Sequence, residues 1–302
     1  MIPATGSNHL ARHSRTPNFG SSLHSELIRL RYQRPTWVLI SFVFLLLGLV
    51  MFFFTADAKV GADLSVSPLR GIDQMLPALQ FLFAAGAGVV LLTSGSRLVA
   101  TEYTLGTIRV ILGRGTSRYD LVLTKLVACL LLGAGLLLSY VVLCAGGLAL
   151  VTLHLTGSVG ALSRISPPGW HQLGSAVLSA ALSVMSCSVV GVTIGAVTRS
   201  LTSGMVLSVL FFPLDNALAL VMKALHHLDH LAVWRILSAF LLGPTLNSLP
   251  TRLTGQSLPS STVLPTPILH FSAWGEAAVI TGWCLVLVAL ALLSSVRRDV
   301  VS

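Results

Sequence analysis

The sequence predicts an all-helical membrane protein with six transmembrane helices. Only 10% of the 302 residues are charged and 54% are hydrophobic, whereas a soluble domain carries about 25% charged residues. The mean hydropathy is +0.86. Uncharged apolar runs are long enough to cross a bilayer as helices, whereas a membrane barrel would show short segments of alternating polarity. The composition therefore argues against a soluble enzyme and against a disordered chain.

The segment before the first span divides into a tail and a short helix. Residues 1–22 are polar, which predicts a mobile tail. Residues 23–34 combine arginines with apolar positions spaced for one helix face, a pattern typical of a basic amphipathic elbow helix on the inner membrane surface. The apolar positions are Leu23, Leu27 and Leu30. Pro35 ends this predicted helix.

A single transmembrane domain is expected to cover residues 23–302. Apolar runs place its spans at residues 36–56, 75–96, 121–153, 173–197, 201–222 and 277–296. The third run is longer than a bilayer requires, so its first turns are expected to project into the cytoplasm.

An external segment, residues 223–275, separates the last two spans. Residues 228–248 are apolar, but Arg235 and a Gly-Pro pair interrupt them. We therefore expect helices that lie in or dip into the outer leaflet rather than a seventh span. Residues 249–267 are rich in Pro, Ser and Thr, which predicts an extended linker.

The basic residues predict the orientation in the membrane. Of the 19 Lys and Arg residues, 13 fall in the segments that six spans place on one side, and 6 fall in the longer segments opposite. Because positive charge concentrates in cytoplasmic loops, both termini are predicted to be cytoplasmic. The same rule accounts for the net charge of +9, so nucleic acid is not an expected partner.

The polar segment between the second and third spans is the most informative part of the sequence. Thr107 is placed to cap a short helix, and Ser117 is placed to cap the third span with Asp120 in its first turn. The apolar residues of the short helix are Ile108, Ile111 and Leu112. The segment is therefore either a short amphipathic helix on the cytoplasmic surface or an ordinary polar loop.

This segment resembles the cytoplasmic loop of type-2 ABC transporter permeases, the ABC-2 type. The matching pattern consists of Glu102, Gly106, Thr107, Arg109, Leu112, Ser117, Arg118 and Lys125. The elbow helix, the spans, the cytoplasmic termini and the long external segment also agree, so the resemblance covers most of residues 23–298. The sequence departs from the pattern at residues 114–116, Arg-Gly-Thr, where the family often has a proline.

The resemblance implies a permease subunit of an ABC exporter in a bacterial inner membrane. Two permease copies, as a homodimer or within a heterodimer, would pair with two separate ATPase subunits, which bind ATP and Mg²⁺. The loop would carry the coupling helix, which docks into a groove on the ATPase. The residues implied in this coupling are Glu102, Gly106, Thr107, Ile108, Arg109, Ile111, Leu112 and Arg118.

The resemblance also implies a role for each kind of side chain in the loop. The apolar side chains of the short helix would pack into the ATPase groove. Glu102 and Arg109 would orient the contact through ion pairs with the ATPase. Arg118 and Lys125 would contact lipid phosphates or the partner.

The chain carries no Walker A motif, so we expect ATP to bind only to the partner. Such a motif needs a Gly-Lys pair in a loop whose amides hold phosphate. The lysines of this chain instead follow Ala58, Thr124 and Met222. No cofactor is expected in this chain. The cysteines lie in apolar runs and predict small buried side chains rather than a disulfide framework.

Asp215 is an acidic residue inside a predicted span, beside Asn216 and two residues after Pro213. A charged group within a membrane is costly and usually functional, so Asp215 and Asn216 are candidates for the substrate pathway. In the alternative, Pro213 breaks the helix near the outer leaflet and Asp215 faces water.

Three histidines just beyond the fifth span support a different function. His226 and His230 are four residues apart, a spacing that can bind zinc on a helix, and His227 lies between them. The cluster lacks the glutamate of an HExxH motif. A membrane-bound metalloenzyme is therefore one alternative to the permease, and a non-transporting anchor subunit is another.

Gly191 and Gly195 form a GxxxG motif in the fourth span. Two small residues on one helix face permit close contact with another helix. That contact could lie within one subunit, which is our expectation, or between two copies.

Overall fold

A computed structural model describes residues 19–56, 68–113, 117–156, 167–254 and 264–297. These residues are helical apart from short turns and the stretch 264–272. The all-helical fold class is therefore confirmed. Of the predicted polar tail, residues 1–18 lie outside the described residues, and residues 19–22 belong to the first helix.

The described helices include every predicted span. In chain order they are α1 (Phe19–Arg31), α2 (Arg34–Ala56), α3 (Pro68–Thr104), α4 (Ile108–Gly113), α5 (Arg118–Thr156), α6 (Pro167–Thr198), α7 (Leu201–Asp229), α8 (Ala232–Ala239), α9 (Leu242–Thr254) and α10 (Ala273–Arg297). Six of them, α2, α3, α5, α6, α7 and α10, are long and apolar enough to cross a membrane. The helix α1 occupies the place of the predicted elbow helix.

The membrane helices extend beyond the apolar runs that predict them. α3 continues past residue 96 to Thr104, and α7 continues past residue 222 to Asp229. Helical hydrogen bonds join backbone groups, so a helix continues through polar turns until a terminating residue ends it. The apolar runs therefore mark the membrane core of each helix and not its ends.

The external segment forms the short helices α8 and α9 in place of a seventh span. α9 includes residues 249–254, so the prediction of an extended linker is wrong there. Leu246 and Leu249 of α9 are buried against α6 and α10, and this tertiary packing stabilises a helix that composition disfavours. Residues 255–263 of the predicted linker lie outside the described residues.

α3 and α6 form the centre of the bundle, where glycines bring their backbones together. A Cβ atom on Gly191 would lie 2.7 Å from the carbonyl oxygen of Leu92, and one on Gly195 would lie 2.5 Å from that of Ser96. Side chains do not pack this tightly against backbone, so only glycine fits at either position. The predicted GxxxG contact therefore exists within the chain.

The outer helices present apolar side chains away from the bundle. On α7 the large exposed ones are Val206, Leu207, Val209, Leu210, Leu214, Leu218, Leu220, Val221 and Leu228. A helix with such an outer face is stable in lipid or against another apolar surface. This pattern agrees with a chain that lies largely within a membrane.

Four segments meet at one end of the bundle, called the loop end below. They are α1, the loop that contains α4, the turn between α6 and α7, and the last turn of α10. Arg29 of α1 contacts Glu102 of α3, and Arg199 in the turn contacts Tyr103 of α3 and the carbonyl of Ser294 in α10. α9 lines a cavity with residues near the start of α3 and therefore lies toward the opposite end.

Candidate functional site

A buried ion cluster joins three helices at the loop end. Nζ of Lys125, in α5, lies 2.6 Å from Oε1 of Glu102 in α3 and 2.8 Å from Oε1 of Glu26 in α1. The side chain of Lys125 is 1% exposed. Because an unpaired buried charge is strongly destabilising, a lysine here requires acidic partners this close.

Arg29 completes the ion cluster. Its Nη1 donates a hydrogen bond to Oε1 of Glu102 at 3.2 Å and lies 3.9 Å from Oε2 of Glu26, one turn earlier in α1. Two cations therefore face two carboxylates. Together they hold α1, α3 and α5 next to the loop that follows Thr104.

These contacts correct what the resemblance implies for Lys125. The enclosed ammonium group of Lys125 is not available to lipid phosphates or to a partner, so that expectation is wrong. The carboxylate of Glu102 is bonded within the chain to Arg29 and Lys125, and its ion pair with an ATPase stays a prediction. Sequence reasoning missed Glu26 and Arg29 as partners, although a lysine in an apolar run implies a nearby acid.

A tight turn leads from α3 into the loop. Gly106 has a φ of +67°, in the left-handed region that glycine adopts without strain. Its N–H donates to the carbonyl oxygen of Tyr103 at 3.2 Å as α3 ends. Glycine at this position therefore fixes the direction in which the loop leaves the ion cluster.

The short helix α4 forms where the sequence predicts it, but Thr107, just before it, and Ile108, its first residue, make other contacts than the sequence predicts. The hydroxyl of Thr107 bonds to the carbonyl oxygen of Glu102 at 3.4 Å. Its backbone carbonyl, and not its side chain, accepts the bond from the N–H of Ile111 at 3.1 Å. Ile108 is only 5% exposed. In this conformation Ile108 packs within the chain, and its entry into a groove on a partner stays a prediction.

The apolar side chains that the loop does expose are those of Leu105 and Val110. They are 67% and 58% exposed, respectively, and Ile111 is half-buried. Outside the described residues lie the side chains of Arg109 and Leu112 and residues 114–116. Within the described part of the loop, Leu105 and Val110 therefore form the apolar surface that a partner could contact.

Ser117 caps α5 as the sequence predicts. The N–H of Asp120 donates to Oγ of Ser117 at 3.0 Å. The carboxylate of Asp120 lies in the first turn, where a negative charge favours the helix dipole. This prediction is confirmed.

Two arginines hold the last turn of α10 at the loop end. Arg118 donates to the carbonyl oxygen of Ser295 at 3.3 Å, and Arg199 donates to that of Ser294 at 2.5 Å. The guanidinium of Arg199 also lies 4.9 Å from the centre of the Tyr103 ring. Each guanidinium therefore places a cationic donor on a backbone carbonyl of α10, and hydrogen bonds from charged donors are stronger than those from neutral ones. Arg118 therefore has a contact within the chain that the resemblance does not imply.

Asp215 caps α9 from the neighbouring helix α7. Its Oδ2 accepts a hydrogen bond from the N–H of Gly243 at 2.5 Å. Gly243 lies in the first turn of α9, where unpaired N–H groups and the helix dipole favour a carboxylate. Asp215 is not among the residues that line the adjacent cavity, so its visible role is to hold the external segment.

Asn216 lines a cavity of about 360 Å³ between α3, α6, α7 and α9. Its Oδ1 accepts a hydrogen bond from Nδ2 of Asn247 in α9 at 2.8 Å. Asn247 Nδ2 also donates to the carbonyl oxygen of Pro265 at 3.0 Å. This pair of amides joins α7 to the external segment at the wall of the cavity, which keeps Asn216 a candidate for the substrate pathway.

The histidine cluster lies where α7 ends. His230 has a φ of 54°, and its N–H bonds back to the carbonyl of His226. The rings of His226 and His230 meet edge to face at 6.1 Å, while Nδ1 of His226 lies 3.1 Å from the carbonyl oxygen of Leu231. Asp229 accepts hydrogen bonds from Leu231 and Trp234. Among the described residues, no group of three or more His, Cys, Asp or Glu side chains could hold a metal ion.

Six membrane-length helices, with a helical loop held by ion pairs at one end, define a multi-pass membrane protein. The family model described as "ABC-2 family transporter protein" matches residues 21–300, so the chain belongs to the ABC-2 transporter family. It is therefore a membrane subunit of a transporter, and its family implies partnership with an ABC ATPase subunit. No curated protein matches the chain.

Proposed function

We propose that this chain is the permease subunit of an ABC exporter in a bacterial inner membrane, and that its 102–118 loop couples it to a separate ATPase. Two copies of the permease, identical or paired with a related chain, would join two ATPase subunits that hold ATP and Mg²⁺. The loop end would face the cytoplasm, as the distribution of basic residues predicts. This chain would contribute the pathway and no hydrolytic chemistry of its own.

The ion cluster of Glu26, Arg29, Glu102 and Lys125 is the observation that supports the coupling role. A force on an isolated surface loop would be lost in local bending. Here Glu102, three residues before Leu105, is bonded to α1 and α5. A displacement of the loop would therefore reach these helices together.

Leu105 and Val110 are our candidates for the contact with the ATPase. Both side chains are apolar and exposed on either side of the fixed turn at Gly106 and Thr107. Buried apolar anchors usually contribute more affinity than exposed charges at the rim of an interface. ATP-driven closure of the ATPase pair would press on this surface and rearrange the spans around a pathway.

A pull-down in mild detergent tests the proposal. The tagged chain is recovered from its native membranes, and copurifying proteins are identified by mass spectrometry. We expect a Walker-motif ATPase with the unaltered chain and its loss with Val110→Glu. Leu228→Glu is the matched control, because it places the same charge on a 79% exposed leucine at the far end of α7.

The outcomes separate the candidate functions. An ATPase that binds the unaltered chain and Leu228→Glu but not Val110→Glu supports the loop as the contact. Absence of any ATPase from an intact, folded chain would overturn the proposed coupling to a separate ATPase. If an ATPase copurifies but reconstituted vesicles that contain both proteins move no substrate, the chain would be a non-transporting anchor subunit.

A further inference from the structure

The corner between α1 and α2 carries two exposed arginines. Arg31 ends α1 and Arg34 begins α2, and both side chains are exposed. Among the described residues, neither arginine forms an ion pair. A guanidinium group matches a phosphate closely, because its planar N–H groups can donate two parallel hydrogen bonds to the phosphate oxygens. The corner therefore has the chemistry of an anion site.

The acidic side chains that contact α1 are already occupied. Glu26 lies 2.8 Å from Nζ of Lys125, and Glu102 accepts hydrogen bonds from both Lys125 and Arg29. The two carboxylates of the ion cluster are thus balanced by its two cations. The charges of the corner arginines remain in excess, so their counter-charge is expected to come from outside the chain.

Backbone contacts fix the shape of this corner. The N–H of Arg34 donates to the carbonyl oxygen of Tyr32 at 3.0 Å. Nε1 of Trp37 donates to the carbonyl oxygen of Arg31 at 2.9 Å, which ties the first turn of α2 to the end of α1. Because the corner is ordered before any ligand arrives, binding there would cost little backbone entropy.

Two aromatic side chains place the corner at the level of lipid headgroups. Tyr32 is 78% exposed and Trp37 is 48% exposed. Such amphipathic rings are enriched where a membrane meets water. Arg34 is also the first residue of a helix long and apolar enough to cross a membrane. The anion that reaches this corner is therefore best supplied by a lipid.

A shallow groove between α2 and α5 continues from the corner along the membrane part of the bundle. Its lining is apolar except for one hydroxyl and consists of Ile40, Phe44, Leu138, Ser139, Val142 and Leu143. That hydroxyl already donates to a carbonyl of its own helix. Ile40 follows Arg34 by six residues, so the groove begins about 9 Å from the arginine along α2. A headgroup at the corner would thus have its chains beside the groove.

We propose that an anionic phospholipid binds at this corner, with its phosphate between Arg31 and Arg34 and one acyl chain in the groove between α2 and α5. Tyr32 and Trp37 border the headgroup. The site goes beyond the proposed function, because lipid binding requires neither an ATPase nor a cargo. Since α1 also takes part in the ion cluster, the bound lipid reinforces the helix that holds the base of the 102–118 loop.

Native mass spectrometry of the purified chain, released from a neutral detergent, tests the site. The chain is titrated with phosphatidylglycerol, with phosphatidylcholine of the same acyl chains, and with glycerol phosphate. Phosphatidylcholine carries the same phosphate and chains but adds a cation that the arginines repel. We expect phosphatidylglycerol to bind at least about fivefold more tightly than phosphatidylcholine. Glycerol phosphate lacks chains and should not remain bound.

Matched variants connect the binding to the corner and to the groove. Arg31→Gln and Arg34→Gln should each weaken binding of phosphatidylglycerol about fivefold, whereas Arg235→Gln, at an exposed arginine of α8, should leave it unchanged. Ser139→Phe fills the groove and should weaken binding of both lipids. Ala134→Phe places the same ring on an exposed part of α5 outside the groove and should have no effect. All five positions are exposed, so the variants are expected to fold.

Equal binding of the two lipids, or binding of phosphatidylglycerol that survives the loss of both arginines, would overturn the proposal. Glycerol phosphate that binds as tightly as the lipid would also overturn it, because the site would then take a free phosphate. If Ser139→Phe leaves lipid binding unchanged but removes a dimer from the spectrum, a second copy and not an acyl chain covers the groove. No ATPase is present in this experiment, so its failure leaves the pull-down result standing, and a failed pull-down leaves the lipid site standing.

Discussion

Nζ of Lys125 and Oε1 of Glu102 lie 2.6 Å apart although 23 residues separate them in the chain. Glu102 precedes the loop and Lys125 follows it, so the pair joins the two ends of the loop at its base. Glu26 brings α1 into the same contact. The loop that we propose as the coupling element therefore starts and finishes on one fixed point shared by three helices.

Replacement of Lys125 by methionine should strongly destabilise the protein. Methionine has a similar volume but leaves Glu26 and Glu102 with only Arg29 between them. Removing one partner of a buried ion pair typically costs about 3–5 kcal/mol. The measurement is the midpoint of thermal unfolding in detergent, compared with Lys223→Met, which changes an exposed lysine.

The double variant Lys125→Met with Glu102→Gln should recover much of that loss. Two neutral partners leave less uncompensated charge buried than one neutral and one charged partner. Equal midpoints for Lys125→Met and Lys223→Met would show that the buried cluster adds no stability.

Loss of Arg199 should loosen the end of α10. Arg199→Ala removes the donor to the carbonyl of Ser294 and the contact with the Tyr103 ring. One hydrogen bond contributes about 1 kcal/mol net, so amides of α10 near Ser294 should exchange hydrogen roughly fivefold faster. Mass spectrometry of exchange measures this, with exposed Arg235→Ala as the control. Unchanged exchange would mean that the turn is held by other contacts.

Much of the fold could be predicted from the sequence because the membrane imposes one strong requirement. A span must satisfy its backbone internally and present apolar side chains, so apolar runs alone locate the six spans. Apolar runs do not locate the ends of α3 and α7, because the helical hydrogen bonds of the backbone continue beyond the last apolar residues. α9 was missed in part because buried contacts of Leu246 and Leu249, and not local composition, stabilise it.

The sequence predicts which segment forms the site, but not which way the side chains of that segment point. Capping rules located α5 and its Ser117 cap correctly, because a cap depends on neighbouring residues. The direction of each loop side chain depends on what packs beneath it, so Ile108 and Glu102 were expected outside and lie inside. The partners of Lys125 come from distant parts of the chain, and no local pattern identifies which acids they are.

The contact between α3 and α6 should not tolerate a methyl group. Gly195→Ala would place a Cβ atom 2.5 Å from the carbonyl oxygen of Ser96. Overpacking of this kind typically costs about 1–3 kcal/mol. The matched control is Gly48→Ala, since nothing lies within 4 Å of its Cβ position, and alanine favours a helix over glycine by up to about 1 kcal/mol. The midpoint of thermal unfolding should fall for Gly195→Ala and stay level or rise for Gly48→Ala. The opposite order would refute close packing as the reason for glycine at position 195.

Asp215 should matter as a cap of α9 rather than as a charge in the pathway. Asp215→Ala removes the acceptor for the N–H of Gly243, and loss of a capping group costs about 0.5–2 kcal/mol. Amides at the start of α9 should then exchange hydrogen several-fold faster. Asp215→Asn keeps an acceptor oxygen at the same place, so it should retain most of the protection and most of the transport activity. If Asp215→Asn instead abolishes transport while α9 stays protected, the negative charge itself acts in the pathway, and the capping role is secondary.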